Sequence, residues 1–543
     1  EIHAEIARRG ILFKDIVMGN TLVDMYAKCG HLAKAQDILN SLPSRNVVSW
    51  NALIAGYTEH GFEREALDCY EKMKLETVEP DAITIICILR ACGTIRATQK
   101  GQEIHAEISR KGLLGEDPDI ANSLIDMYNK FQSLTKALQV FDTLPIRDNV
   151  ITWNSIIAGC ANHDYSEEAL HFFQQMQLEN VFPDVITYIC SLKASGSLGA
   201  SCMGQEIHAK VERDGLLEKD HLLGTALIDM YAKCGLLDRA QSVFHKLSER
   251  DSVAWNALIS GYSEHGQGEK ALECYERMKL DDVYLTAATC VSTLKACAIQ
   301  MAEETGLEIH SEIARRGFFG SDLVSNTLVD MYVKFGFVDK AQEVFDNLHV
   351  RDVVTWTALI AGYLEQGHPD EALNRFQEMQ VQGISPNSVT YIFGLKACAN
   401  IGALQRGQEI HAEIERFGLL ENDLLGNAVV DMYAKCGSLH IATRVFRMLP
   451  IRGVASYNSL MSGYTQLGEP ENTLCLYDRM LKENIKPDSV TFVIVLNACG
   501  QANLLEIGQT HFEAMEKIYE IIPSIEHYTC MIDLLSRAGQ LEK

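Results

Sequence analysis

Five His-x-Glu triplets punctuate the chain, at His3-Ala4-Glu5, His105-Ala106-Glu107, His310-Ser311-Glu312, His411-Ala412-Glu413 and His511-Phe512-Glu513. In zinc-dependent nucleobase deaminases such a triplet supplies one metal ligand and a proton-moving carboxylate, and a Cys-x-x-Cys pair completes the metal site. No two of the 16 cysteines are separated by two residues, so that second half has no candidates. At the corresponding place in the pattern His208-Ala209-Lys210 lacks the acid altogether. The triplets are therefore read as packing residues, and no catalytic residue, metal or cofactor is expected. Neither a Gly-rich phosphate loop nor a G-x-S-x-G nucleophile motif occurs.

The remaining candidate chemistry is that of side-chain amides and hydroxyls, which recur with a fixed period. Trp50-Asn51-Ala52-Leu53-Ile54 returns at Trp153, Trp255, Trp356 and, with Tyr for Trp, at Tyr457, at intervals of 103, 102, 101 and 101 residues. Asp24-Met25-Tyr26 returns at Asp126, Asp229, Asp330 and Asp431 on the same period. One repeat array follows rather than several domains. Each period divides into three helical hairpins, as at Val47–Asp81, Ala82–Asp117 and Ile16–Asn46, of 35, 36 and 31 residues. In the first, Trp50, Leu53, Ile54 and Tyr57 have helical spacing, Gly61 breaks the helix, and Ala66, Leu67, Tyr70 and Met73 line a second. Such short helices bury an apolar face only by stacking on neighbours, which predicts an all-α solenoid. The Trp series shares the helical phase of Leu53 and Ile54, so it is expected in the core.

The alternating 35, 36 and 31 residue lengths and the phrase Asp-Met-Tyr-Ala-Lys-Cys-Gly resemble the pentatricopeptide repeat family in its plant-type P-L-S form. The resemblance covers the whole chain as a single array, 1–543. S motifs fall at 16–46, 118–149, 221–251, 322–352 and 423–453, and P motifs at 47–81, 150–184, 252–286, 353–387 and 454–488. L motifs fall at 82–117, 185–220, 287–321, 388–422 and 489–524, with a partial L at 1–15 and a partial S at 525–543. It implies a right-handed α-solenoid superhelix that binds single-stranded RNA, one nucleotide per repeat, in a chloroplast or mitochondrion. It also implies selection of a site for C-to-U editing, with a deaminase or editing factor as a possible partner in trans. The match stops before the family's C-terminal E and DYW modules, so the natural protein is expected to be longer.

The resemblance implies base reading by the fifth and last residues of a motif. In P motifs these are Asn51 with Asp81, Asn154 with Asp184, Asn256 with Thr286, Thr357 with Asn387, and Asn458 with Asp488. In S motifs they are Asn20 with Asn46, Asn122 with Asn149, Thr225 with Asp251, Asn326 with Asp352, and Asn427 with Gly453. By the family's code the implied site is Y-U-n-Y-U-n-G-n-n-U-A-n-n-U-n. Asn256 with Thr286 and Asn427 with Gly453 fall outside that code. The fifth residue of each L motif is apolar (Ile86, Ile189, Val291, Ile392, Val493) and offers a base no hydrogen bond. Asp119 stands where other S motifs carry Val17, Leu222, Leu323 or Leu424, residues the resemblance implies pack against bases. A simpler reading competes for all these positions: Asn, Thr and Asp beside a helix start are ordinary capping residues.

Composition opposes nucleic acid at first sight. Among 543 residues, 48 Lys plus Arg face 73 Asp plus Glu, a formal net charge of −25. Over motif positions 2 to 14, the stretch of the first helices expected to line the groove, the charges are neutral in sum. Glu59, Glu264 and Glu365 of the P motifs and the unmatched Asp119 oppose Arg90, Lys193, Lys295 and Lys396 of the L motifs. In S motifs Lys28, Lys130, Lys233, Lys334 and Lys435 balance Asp24, Asp126, Asp229, Asp330 and Asp431. These lysines are either phosphate contacts or ordinary i,i+4 helix pairs. The acidity of the outer face supports an alternative function, a scaffold that recruits basic protein partners.

Cys29, Cys234 and Cys436 each precede Gly, and Cys92, Cys297, Cys398 and Cys499 each follow Ala. Cysteines set beside small residues are expected as buried free thiols in a reducing compartment. No run of 18 apolar residues occurs, so no membrane partner is expected, and no targeting peptide is legible at the start.

Overall fold

A computed structural model describes residues 16–115, 117–144, 147–217, 220–348 and 350–538. The partial motif 1–15, with His3 and Glu5, and residues 539–543 lie outside the described residues. All regular structure among the described residues is helical. The chain divides into two compact units, Glu1–Tyr284 and Leu285–Lys543.

In the first unit the leading helices of successive motifs are Ile16–Lys28, Val47–Glu59, Ala82–Ile95, Pro118–Lys130, Val150–Asn162, Val185–Leu198, His221–Lys233 and Ser252–Glu264. Each packs on its own trailing helix, and within the unit successive leading helices pack on one another. The second unit repeats the arrangement from Ala287–Gln300 through Asp322–Lys334, Val353–Glu365, Ser388–Ile401, Asp423–Lys435, Val454–Gln466 and Ser489–Gln501 to Ile525–Arg537. Each unit is an α-solenoid of stacked hairpins.

Helix length accounts for the alternation of repeat lengths. Trailing helices such as Glu63–Leu75 have 13 residues, whereas Leu32–Ser41 and Leu134–Asp142 have 10 and 9, about one turn less. Leading helices such as Ala82–Ile95 have 14 residues against 13 in Val47–Glu59. Sequence fixes the close approach of leading helices: a Cβ on Gly56 would stand 2.5 Å from the Ala27 Cβ, and one on Gly261 2.5 Å from that of Ala232.

The tryptophans form the core between motifs. Trp50, Trp153, Trp255 and Trp356 are buried. Trp153, Trp255 and Trp356 meet Phe141, Phe244 and Phe345 of the preceding trailing helix edge to face, at 4.9, 4.5 and 4.6 Å between ring centres. All 16 cysteines are free. Those after Ala are fully buried, and burial pushes Cys297 and Cys398 up to about 12. Those before Gly depart from the expectation. Cys29 is exposed and Cys234 and Cys436 are half-buried, because they sit where the leading helix ends and its apolar face runs out. Among the described residues no helix is long and apolar enough to cross a membrane.

Candidate functional site

The His-x-Glu residues are committed to packing. His105, His208, His310 and His411 each place Nδ1 against the hydroxyl of Tyr128, Tyr231, Tyr332 and Tyr433, at 2.7, 2.9, 2.6 and 3.1 Å. These are the tyrosines of the Asp-Met-Tyr phrase one motif on. Burial pushes all four histidines below the usual imidazole range, and His511, stacked edgewise on Tyr477, shifts the same way for the same cause. The partner acids leave in another direction: Glu107 pairs with Lys74 and Lys111, and Glu312 with Arg315 and Arg316. Among the described residues no three His, Cys, Asp or Glu side chains gather as a metal site.

The amide positions, in contrast, converge. The last residue of one motif is the N-cap of the next leading helix, and in five motifs it also bonds to the fifth residue of its own motif. Asn51 Nδ2 donates to Asp81 at 2.8 Å, Asn154 to Asp184 at 3.0 Å, and Asn458 to Asp488 at 2.9 Å. Asn326 donates to Asp352 at 3.1 Å and Asn20 to Asn46 at 3.2 Å. A third group completes each arrangement. The hydroxyls of Thr84, Thr187, Thr491 and Ser49 donate to Oδ1 of Asn51, Asn154, Asn458 and Asn20, at 2.5, 2.5, 2.8 and 2.6 Å, and that of Thr355 lies 2.5 Å from Oδ1 of Asp352 and 2.9 Å from Oδ1 of Asn326. Each hydroxyl stands at the third helical residue, where its own backbone N–H donates to the capping side chain. The sequence reading passed over these hydroxyls, although the recurring Asp/Asn-x-x-Thr/Ser phrase is their signal.

The bonds define the amide. An Asn side chain has two N–H donors and a two-lone-pair acceptor. One donor and one lone pair are engaged here, so one of each remains, in a fixed orientation. Burial acts to raise the pKa of Asp81, Asp352 and Asp488. The bonds from the Thr84, Thr355 and Thr491 residues and from the Asn amides outweigh it and hold the three carboxyls below their usual range.

Other predicted pairs are built differently. Thr357 reaches the last residue through Thr390: the two hydroxyls lie 2.7 Å apart, and Asn387 accepts from the Thr390 amide at 2.9 Å. The Thr225 hydroxyl donates to the His221 carbonyl at 3.1 Å, while Asp251 accepts from the Ala254 amide at 2.8 Å. Asn122 has both amide atoms buried without a partner, and Asn149 caps Ile151 instead. Asn427 has a buried, unpartnered Oδ1, for the Ser456 hydroxyl donates to the Gly453 carbonyl at 2.8 Å instead. Asn256 lies in the first unit and Thr286 in the second, where it caps Thr289.

Two clefts in the first unit gather these groups. One, of about 640 Å³, is lined by Asn20, Asn46, Asn51 and Asp81 with Asp24, Lys28 and the aliphatic Val17, Val48 and Ile83. The other, of about 890 Å³, holds Asn154 and Asp184 with Asp126, Lys130, Ile151 and Ile186. Polar side chains, exposed aliphatic side chains and one lysine thus share the wall of each cleft. The five lysines are engaged: Lys28, Lys130, Lys233, Lys334 and Lys435 lie 2.8, 2.9, 2.8, 2.8 and 2.9 Å from Asp24, Asp126, Asp229, Asp330 and Asp431. Such exposed i,i+4 pairs contribute little to stability.

Stacked helical hairpins with a polar pair recurring in five of the motifs define a helical-repeat protein with a periodic polar face. The family is settled by sequence. The PPR repeat family matches at 45–94, 148–195, 250–299, 351–400 and 452–501, and the PPR repeat at 20–47, 225–252, 324–353 and 526–543. The chain belongs to the pentatricopeptide repeat family. A chloroplastic pentatricopeptide repeat-containing protein of Arabidopsis thaliana is 35% identical over 97% of this chain and 60% of its own length. A second from the same plant is 35% identical over 100% of this chain and 75% of its own length, and a mitochondrial one is 34% identical over 100% and 70%. The chain thus spans about two thirds of the length of these relatives. Crystal structures of the maize pentatricopeptide repeat protein PPR10 share the fold. One has a TM-score of 0.58 at 19% identity, covering 97% of this chain and 82% of that one. Another, of PPR10 in complex with an 18-nt psaJ RNA element, has a TM-score of 0.56 at 17% identity, covering 93% and 85%.

Proposed function

We propose that this chain binds single-stranded RNA in a sequence-specific manner, one nucleotide per motif, and selects a site for C-to-U editing in a chloroplast or mitochondrion. The observation that carries this reading is the recurring Asn–Asp–hydroxyl arrangement. It leaves one amide donor and one acceptor fixed beside a cleft, which suits the edge of an unstacked base. The PPR10 complex with an RNA element and the chloroplastic and mitochondrial relatives support it. The motif boundaries and the order Y-U-n-Y-U-n-G-n-n-U-A-n-n-U-n belong to the same proposal. Exposed Val17, Val48, Ile83, Ile151 and Ile186 would flank the bases, and the Asp-paired lysines would turn to phosphates. Editing chemistry would come from a deaminase or editing factor acting in trans or from a segment beyond this chain.

Leading helices without a positive excess release few counterions, so recognition leans on base hydrogen bonds. Titration of that 15-nucleotide RNA and of a scrambled one across salt concentrations tests the proposal. The expected result is a shallow log–log slope and clear preference for the ordered sequence. Equal affinity for both RNAs with a steep slope would refute it.

A further inference from the structure

Motif 118–149 has the residue types of a reader without its geometry. Asn122 is 8% exposed, as are Asn20, Asn51, Asn154 and Asn458, so it occupies the same place in its motif. Unlike them it has no partner on either amide atom. The cause lies at the motif's end. In the other S motifs an arginine directly precedes the last residue, as in Arg45-Asn46, Arg250-Asp251 and Arg351-Asp352. Here the sequence is Arg147-Asp148-Asn149, one residue longer.

That extra residue changes the path into the next helix. Asn46, Asp81, Asp184 and Asp488 enter their helices with ψ of 178°, −177°, −176° and −179°, and each accepts from the third helical residue. Asn149 has ψ 118° and accepts from the second, Ile151, at 2.9 Å. An independent mark of the shift is the Trp153 indole, which donates to the Arg147 carbonyl at 2.8 Å. The indole nitrogens of Trp50, Trp255 and Trp356 are buried without a partner.

An amide held at both ends presents a fixed donor and a fixed acceptor. An amide held at neither end, with both polar atoms covered, presents a base with no fixed donor or acceptor. We propose that motif 118–149 accepts any base, and that the single inserted residue at Asn149, by drawing the last side chain away from Asn122, is what makes it a permissive step beside the selective motif 150–184. This rests on the pairs acting as base readers. It also corrects the pyrimidine preference that residue types alone assign to Asn122 with Asn149.

Selection from a randomised 15-nucleotide RNA pool tests it, using the full chain and three variants. Asn154→Ala marks the register, because the nucleotide whose preference it removes faces motif 150–184. The adjoining nucleotide toward motif 118–149 should then show less than about twofold spread among four bases in the parent chain and in Asn122→Ala. Deletion of Asn149, which sets Asp148 directly before Val150 as Asp352 stands before Val353, should raise that spread to about tenfold, with the same favoured base as the marked position. A parent chain already selective at that nucleotide overturns the inference. So does a deletion variant that stays flat there while keeping its preference at the marked position. If Asn154→Ala removes no preference anywhere, the reader itself fails, a result distinct from either of these.

Discussion

P and L motifs both cap their successors through the last side chain, but the caps differ in path, with ψ −176° at Asp184 and 109° at Asp220, and in what else the cap does. Asp184 closes a P motif and Asp220 an L motif, and each accepts backbone N–H bonds at the start of the next leading helix. Only Asp184 also accepts from a fifth-position amide, that of Asn154; the fifth residue of the L motif is Ile189. The third helical residue follows suit. Thr187 after the P motif carries a hydroxyl for Asn154, and Leu223 after the L motif carries none. Capping therefore does not require the polar fifth residue or the buried hydroxyl. Their presence together in P and most S motifs is the feature that the proposed base reading would use.

The comparison can be broken in several ways. The largest effect is expected from the triple replacement Asn51→Ala, Asn154→Ala and Asn458→Ala. Base preference should vanish at three nucleotides, each about 1–3 kcal/mol of discrimination, read as affinity for RNAs changed at one nucleotide at a time. Next come Asp184→Ala and Asp220→Ala. Each removes a cap and should cost about 1 kcal/mol in a denaturation midpoint. Only Asp184→Ala should alter base preference, and equal effects of both on RNA would erase the distinction.

The L motifs contribute packing, and this should show as pH dependence. His105, His208, His310, His411 and His511 are pushed by burial below their ordinary value of 6.5. Unfolded, they take up protons near that value, and folded only at lower pH. Their contribution is intact above about pH 6.5 and is lost as pH falls through the folded values. Thermal denaturation should give a lower Tm at pH 5.5 than at pH 7.5, with part of the difference removed by His310→Gln. The smallest effect belongs to the lysines: Lys130→Gln should leave base preference unchanged and flatten the salt slope by about 0.7.

Much of the fold was legible because helical phase and period are written in the chain. The Trp50 series, the Gly61 turn and the shorter S motifs all follow from spacing, and the core Trp residues lie where that phase puts them. The fifth and last positions were legible as residue types but their bonding was not. Asn122 with Asn149 reads like Asn20 with Asn46, and a one-residue change of path separates them. Thr84 and its counterparts were missed because a hydroxyl inside a helix carries no hydropathy signal, though its position three residues after Asp81 is a capping-box spacing. Cys29 ended exposed because small neighbours do not reveal that a helix has just ended.

Whether the pair reads a base or only braces a helix is tested most directly by exchanging one reader for another. Asn154→Thr turns an Asn–Asp motif into a Thr–Asp one while Asp184 keeps its cap. Affinity should be measured against four RNAs that differ only at the nucleotide facing motif 150–184. The account predicts that preference moves from uridine to guanosine at that nucleotide and at no other. A uniform loss of affinity for all four RNAs would contradict it.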